Sequence, residues 1–202
     1  MDEKIRQRIN ELIREEISAV PYDARWPERF QSEAAFLRSK LPPELINRIE
    51  HFGSTAVPFL SAKPIIDMLV EVASLVVTKE KIVPILLGEG YEYFWRPAFG
   101  DDGPPFYAWF IKRNSVGQRT QHIHMVETDL ELWDRLYFRD YLREFPDIAK
   151  EYEMLKMRLS ELNPHDRMKY TDEKSEFIVY YTKAAKTFYS ERVLVADKDE
   201  ST

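Results

Sequence analysis

The sequence predicts a mixed α/β (α+β) fold, with a sheet of about four or five strands followed by a helical C-terminal region. Short apolar runs bounded by turn residues recur between residues 45 and 127, which is typical of strands. After Asp129 the apolar residues recur at helical spacing instead. Residues 3–18 also place isoleucine and leucine at helical spacing among charged residues, which predicts an N-terminal amphipathic helix.

The predicted elements follow from apolar spacing and from turn residues. Strands are predicted over 45–52, 65–72, 91–96, 106–112 and 120–126. Helices are predicted over 3–18, from 26 to before 42, over 79–87, from about 129 to 144, from 146 to before 163, and over 172–189. Pro27 stands in a first helical turn, where its missing N–H costs nothing, and Thr78 is the predicted cap of the third helix.

These elements predict one principal domain over residues 20–190. Its sheet core covers about 45–127 and its helices about 129–189. Residues 1–19 are predicted to be a helical extension, which either packs on the domain or makes a homodimer contact. Residues 191–202 are predicted to be a polar tail.

Composition excludes several classes of function. The chain of 202 residues has no cysteine, which excludes disulfides, thiolate zinc sites and thiol catalysis. Its formal net charge of -6 argues against general nucleic-acid binding. No apolar run approaches ~20 residues, so no membrane-spanning helix is expected. The charged N-terminus lacks the apolar core of a signal peptide, and we expect a cytoplasmic protein.

The segment 49–72 places a Gly-Ser turn beside a strand that carries one acid. Gly53 and Ser54 follow the first strand at once, and free backbone N–H groups beside a hydroxyl suit a phosphate. Asp67 lies in an apolar run, where a carboxylate is costly to bury unless something pairs with it. An anion cradle followed by a strand-borne acid is how nucleotidyltransferase-like folds arrange nucleotide and metal. We therefore expect Asp67 to bind a divalent ion.

Three further residues are predicted to bind phosphate, each with a structural alternative. Thr55 follows the turn and, like Ser54, either bonds phosphate or caps the short helix. Lys63 either neutralises phosphate or pairs with Asp67. Arg119 flanks a later hairpin, where the alternative is an ordinary solvated turn residue. His51 precedes the turn and Glu50 lies on the opposite face of the strand, so one of the two is expected to point toward the same cleft.

His122 and His124 are the second part of the predicted site. Residues at i and i+2 of a strand point the same way, ~6.6 Å apart along the backbone. Together with Asp67 they make two histidines and one carboxylate, a set that suits zinc, manganese or ferrous iron, and magnesium is a further candidate. Alternatively one histidine acts as a general base while the other orients phosphate, or both only make structural hydrogen bonds.

The paired carboxylate of a two-metal nucleotidyl-transfer site is missing. The second acid is normally two residues beyond the first, and that position holds Leu69. Glu71 shares the face of Asp67 but lies ~13 Å away, too far for both to bind one ion directly.

Several motifs, in the same order, resemble the GrpB family of nucleotidyltransferase-like domains. They are VPYDARWPERF, IEHFGSTAVPFLSAKPIIDMLVEV, GYEYF, TQHIHMVE, FRDYLREFPDIAKEYEMLK and KSEFI. The resemblance covers residues 20 to about 177 and implies a nucleotidyltransferase-like α/β fold with trailing helices, but no substrate. The family domain also occurs fused behind dephospho-CoA kinase. Phe59 stands where the family has a small turn residue, and Gln121 stands where it usually has the first of two paired histidines.

Three functions are compatible with these residues. The first is nucleotide- and metal-dependent transfer of a nucleotidyl or phosphate-containing group to a small acceptor. The second is a non-catalytic module that binds a nucleotide or another anion and assists a partner. The third is a metal-dependent hydrolase built on Asp67, His122 and His124. In each case the partner is a phosphate-containing small molecule, and neither a membrane nor general nucleic acid.

Overall fold

The structure is a computed structural model that describes residues 19–98 and 103–199. Pro21–Leu136 form one compact unit, which holds the sheet, and the helices from Tyr137 onward belong to a second unit. The predicted N-terminal helix over 3–18 lies outside the described residues. Within the described ranges, no helix combines the length and the apolar character needed to cross a membrane.

Five strands form one mixed sheet. Their bounds are β1 Ile46–Phe52, β2 Ile66–Val72, β3 Glu92–Pro97, β4 Phe106–Arg113 and β5 Arg119–Val126. The order across the sheet is β1-β2-β5-β4-β3. β2 and β5 run parallel, and the other neighbouring pairs run antiparallel. The mixed α/β fold expected from the sequence is therefore confirmed, with five strands.

Two helical segments accompany the sheet. α1 covers Trp26–Lys40, with Pro27 in its first turn as expected. The second segment, α2, covers 75–88 and joins Leu75–Val77, a π-helical turn Thr78–Ile82 and Val83–Gly88. The prediction that Thr78 caps this helix was wrong. The Ser74 hydroxyl accepts the Val77 N–H, and Thr78 lies inside the helix with its hydroxyl donating to the Ser74 carbonyl at 2.8 Å.

α1 covers one face of the sheet, which we call the helix face. On this face the ring of His51 stacks on Phe30 of α1, with centroids 4.8 Å apart. Lys112 of β4 forms an ion pair with Glu33 of α1 at 2.9 Å, and Tyr91 also donates to Glu33. Because side chains alternate along a strand, the neighbours of these residues point to the opposite face, which we call the site face.

The second unit is helical. It contains α4, Pro146–Leu162, and α5, Arg167–Asp199, and it includes α3, Arg135–Glu144, from Tyr137 onward. The predicted ends before Pro146 and at Asn163 are confirmed, whereas α5 begins earlier and ends later than the predicted 172–189. Aromatic rings join the helices: Phe138 and Phe177 lie 5.2 and 5.3 Å from Tyr152.

A buried lysine in α4 makes the stability of the second unit depend on pH. Burial, together with the charge of Lys174, lowers the pKa of Lys156 to about 7 from 10.5. Its ammonium group lies 5.0 Å from the centre of the Tyr152 ring. Between pH 7 and pH 10.5 the unfolded chain is protonated here and the folded chain is not, so stability rises with pH over this window.

We therefore expect Lys156→Met to raise the free energy of unfolding by about 2–4 kcal/mol near pH 7 and to flatten its rise toward pH 10.5. Urea unfolding between pH 6 and pH 10 measures both effects. Lys150→Met, at an exposed position of the same helix, is the matched control and should change little. A less stable Lys156→Met protein at pH 7 would contradict this assignment.

Phe59 occupies a strained turn position in the first unit. Its φ of 64° lies in the left-handed region that favours glycine, and its side chain is 87% exposed. This explains why the family motif has a small residue here. We expect Phe59→Gly to stabilise the chain by about 1 kcal/mol, and Phe59→Ala, which keeps the strain, to give no gain. Thermal unfolding distinguishes the two, and equal effects would show that the backbone is not strained.

Candidate functional site

The core of the site is a contact between the two parallel strands. Asp67 of β2 lies opposite His122 of β5 in the register, and both point to the site face. The His122 Nδ1–H donates to the Asp67 Oδ1 at 3.0 Å. The imidazole is buried, and the carboxylate is 29% exposed. The hydrogen bond orients the histidine ring and leaves the acid accessible.

His124 lies two residues further along β5, on the same face. Its ring stacks on Tyr107 and meets the ring of Phe52 edge-on, with both centroids 5.2 Å away. Burial and the charge of Arg135 hold the pKa of His124 well below its usual range, so the imidazole is neutral. Its buried Nδ1 has no hydrogen-bond partner within residues 19–98 and 103–199.

These three side chains offer ligand atoms that all lie within 4.8 Å of one another. Two imidazole nitrogens and one carboxylate oxygen form a donor set that binds divalent transition metals. The orphaned nitrogen of His124 fits the same interpretation, because a buried polar atom without a partner is unfavourable unless a ligand satisfies it. The residues present therefore fit a metal ion.

Asp67 remains ionised despite its surroundings. Burial alone would raise the pKa of its carboxyl group. The hydrogen bond from His122, together with nearby positive charge that includes Arg135, outweighs burial and lowers this pKa below its usual value. The ionised carboxylate of Asp67 and the neutral imidazole of His124 are in the protonation states that metal coordination requires.

The Gly-Ser turn lies directly against Asp67. Gly53 has a φ of 73°, and a Cβ atom on it would lie 2.6 Å from the Asp67 Oδ2. The turn continues into a single 3-10 turn, Ser54–Ala56. Only glycine satisfies both the backbone angle and the close approach. The structure therefore brings Gly53 together with Asp67, as the predicted site requires, and places Ser54 next to it.

Two candidate residues of this turn are directed away from Asp67. The Thr55 side chain points into the core, where its hydroxyl contacts His51 Nε2 at 3.0 Å and donates to the Ile65 carbonyl at 3.2 Å. It anchors the turn, so its hydroxyl does not bind phosphate. His51 does not reach the Asp67 cleft, because it pairs with Met68 in the register and so points to the helix face. Lys63 is half-buried just before β2, and its phosphate role stays a prediction.

A β-bulge brings Arg119 into the site. Lys112 pairs with Gln121 and Arg113 pairs with Arg119, so β5 contains one extra residue at Thr120. Arg119 and His122 consequently share the site face although they are three residues apart. The Arg119 Nη1 lies 3.5 Å from the His122 Nε2. The side chain is 6% exposed, which rules out the alternative of a solvated turn residue.

Four further residues line the site, and two of them, Arg96 and Arg135, were missed by sequence reasoning. Tyr107 and Trp109 of β4 line the site face beside the histidines. Arg96 of β3 lies over Trp109, and Arg135 lies over Phe52, with guanidinium carbons 4.8 and 5.6 Å from the ring centres. The i, i+2 spacing of Tyr107 and Trp109 was a usable signal, whereas nothing in the sequence placed the two arginines.

Comparison with known proteins identifies the family. The profile of the GrpB protein family matches residues 16–184. The glutamate-rich protein GrpB of Alkalihalophilus pseudofirmus is 35% identical over 81% of this chain and 92% of its own length. The UPF0157 protein YqkA of Bacillus subtilis is 37% identical over 80% of this chain, which spans only 45% of that longer protein. The chain belongs to the GrpB family.

A crystal structure supports the fold assignment. The conserved protein GrpB from Enterococcus faecalis superposes with a TM-score of 0.71 at 34% identity, over 85% of this chain and 99% of that one. The mixed sheet with trailing helices is therefore confirmed as the fold that this chain shares with that GrpB protein. The poly(U) polymerase Cid1 superposes with a TM-score of only 0.44 at 14% identity, over 78% of this chain and 46% of that one.

The contact between Gly53 and Asp67 gives a direct test of the site geometry. We expect Gly53→Ala to destabilise the chain by about 1–2 kcal/mol more than Gly117→Ala. Both glycines have a positive φ, but a Cβ atom at Gly117 meets nothing within 4 Å. Chemical denaturation of both variants and of Gly53→Ala/Asp67→Ala measures the difference. Gly53→Ala should lose more unfolding free energy than Gly117→Ala because its new Cβ clashes with Asp67. If removal of the Asp67 side chain restores none of this additional loss, the two residues are not in contact.

Proposed function

We propose that this protein has a nucleotidyltransferase-like function that depends on one divalent metal ion. Asp67, His122 and His124 hold the ion, and a phosphate-containing ligand, a nucleotide in the first instance, binds beside it. A nucleotidyl or other phosphate-containing group is then transferred to a small acceptor. The observation that carries this proposal is the convergence of three ligand atoms within 4.8 Å on one face of the sheet.

The donor set favours a transition metal over magnesium. Magnesium prefers an octahedral shell of oxygen ligands, whereas two imidazoles and one carboxylate suit zinc, manganese or ferrous iron. A bound ion of this kind supplies positive charge to a phosphate oxygen. The His122 ring is already oriented by Asp67, and the neutral His124 presents an unused nitrogen, so little rearrangement is needed for binding.

The absence of a second acid on β2 favours one ion over two. Leu69 lies opposite His124 in the register and is fully buried. Glu71 accepts hydrogen bonds from Asn47 at 3.1 Å and Thr128 at 3.0 Å, which direct it away from metal binding. The two-metal route of nucleotidyl transfer therefore lacks a second carboxylate at the required position of this strand.

The phosphate side of the site is formed by backbone and by cations. The glycine at position 53 lets the backbone of the turn approach Asp67 closely, and Ser54 adds a hydroxyl beside it. Lys63 is proposed to neutralise phosphate charge from the start of β2. His122 and Arg119 border the opposite side.

A second candidate is an accessory module that binds the same ligand without turnover. The observation that favours it is the buried Leu69 at the position of the second acid. Metal-dependent hydrolysis remains the third alternative, since the same three residues would hold the ion.

Metal binding is the first test of the proposal. We expect the wild-type chain to bind one zinc or manganese ion, because all three ligands are already close together. Asp67→Asn and His124→Ala should each weaken metal affinity by at least about 100-fold, since each removes one of three ligands. Isothermal titration with each metal measures affinity and stoichiometry.

Glu71→Gln is the matched control for this test. It changes a carboxylate on the same face of the same strand and should leave metal affinity unchanged, because Glu71 is not a ligand. Wild-type-like affinity in Asp67→Asn would exclude the site. Assays of nucleoside triphosphates with manganese then separate the functions: pyrophosphate release with an acceptor indicates transfer, release of inorganic phosphate alone indicates hydrolysis, and binding without turnover indicates the module.

A further inference from the structure

Arg135 is a charged residue at the border of the site and is not a metal ligand. It begins α3, and its side chain is exposed. Its guanidinium group forms no ion pair and no hydrogen bond with any residue of 19–98 or 103–199. The guanidinium carbon lies 5.6 Å from the centre of the Phe52 ring. The five donors of this group are therefore open to a ligand.

The Phe52 ring connects Arg135 with the metal ligands. Phe52 pairs with Asp67 in the β1–β2 register, and its ring meets the His124 ring edge-on, with centroids 5.2 Å apart. Phe52 thus contacts both the guanidinium group and the imidazole. Burial has the largest effect on the pKa of Asp67 and of His124, and the charge of Arg135 acts to lower both. Arg135 therefore lies beside the proposed metal position.

The segment before α3 fixes the backbone of this arginine. Glu131–Asp134 form a single 3-10 turn, in which Leu132 is buried. The Trp133 indole donates to a backbone carbonyl at 3.1 Å, and Leu136 is buried directly after Arg135. Anchored residues on both sides therefore hold the backbone of Arg135 in place. Its side chain has no such anchor in the described part of the chain and can turn toward a ligand.

A ligand that contacts both the metal and Arg135 must meet two chemical requirements. A metal ion with three protein ligands keeps at least one coordination position for an outside group. A guanidinium group is always charged, only donates, and binds two oxygens side by side. A terminal phosphoryl group has three oxygens, so one can coordinate the metal while two accept from the arginine. A carboxylate has two oxygens in all and cannot make both contacts.

We propose that Arg135 recognises a terminal phosphoryl group of the ligand, with two phosphate oxygens on its guanidinium group and the third on the metal. Nucleoside triphosphates and phosphate monoesters both carry such a group. The inference rests on the proposed function, because it places the phosphate beside the ion held by Asp67, His122 and His124. Arg135 then determines specificity, since it selects a phosphate over a carboxylate.

Binding of inorganic phosphate to the manganese-loaded chain tests this inference without any assay of turnover. Isothermal titration should show phosphate binding, and acetate should bind at least about 10-fold more weakly. Arg135→Gln should weaken phosphate affinity by about 10–100-fold, since a charge-assisted contact is lost. Arg135→Lys keeps the charge but loses the paired donors, so its affinity should lie between the two. Arg38→Gln, at an exposed position of α1, is the control and should leave the affinity unchanged.

The metal affinity of the same variants separates ligand recognition from a structural role. Arg135→Gln removes a positive charge that acts on Asp67 and His124, so it should bind manganese at least as tightly as the wild type. Weaker phosphate binding together with undiminished manganese binding supports the inference. Loss of both affinities would show that Arg135 only maintains the structure of the site, and the inference would be wrong.

The remaining outcomes distinguish this inference from the proposed function. If manganese and zinc do not bind the wild-type chain, the proposed function fails, and phosphate titration of the metal-free chain still tests Arg135. Equal phosphate affinity in the wild type and in Arg135→Gln would show an ordinary solvated arginine and overturn the inference. Acetate affinity equal to that of phosphate, or no phosphate binding by the wild-type chain with or without metal, would overturn it as well.

Discussion

Parallel pairing between β2 and β5 is the constraint on which the site depends. It places Asp67 opposite His122 and Leu69 opposite His124. Because side chains alternate along a strand, a shift of one residue would move both donor strands to the helix face. The apolar residues of β2 prevent such a shift: Ile66, Met68 and Val70 are fully buried, and exposing them would be costly. The core of the sheet therefore fixes the geometry of the polar cluster.

The electrostatic surroundings act differently on the two neighbouring ligands: they keep Asp67 charged and His124 uncharged. Hydrogen bonding from His122 and the charge of Arg135 keep Asp67 ionised although burial acts against it. Burial and the same arginine keep His124 neutral. The arrangement thus joins one negative ligand, Asp67, with the neutral imidazole of His124.

The sequence predicted the central features because they depend only on strand periodicity. Asp67, His122 and His124 were identified from alternation and from the cost of burying an acid. Arg119 was placed among the candidates, but its orientation depends on a bulge that no local signal revealed. Arg96 and Arg135 were missed because only tertiary packing brings them to the site. The inward direction of the Thr55 side chain likewise depends on a tertiary contact, with His51 on the helix face.

The most direct test of the central claim is anomalous diffraction from crystals of this chain grown with manganese or zinc. The account predicts a single strong peak bounded by Asp67, His122 and His124 and absent in Asp67→Asn crystals. A pair of peaks at this position would contradict the one-metal site. No peak at the three residues, with metal bound elsewhere on the chain, would contradict the functional interpretation of the site face altogether.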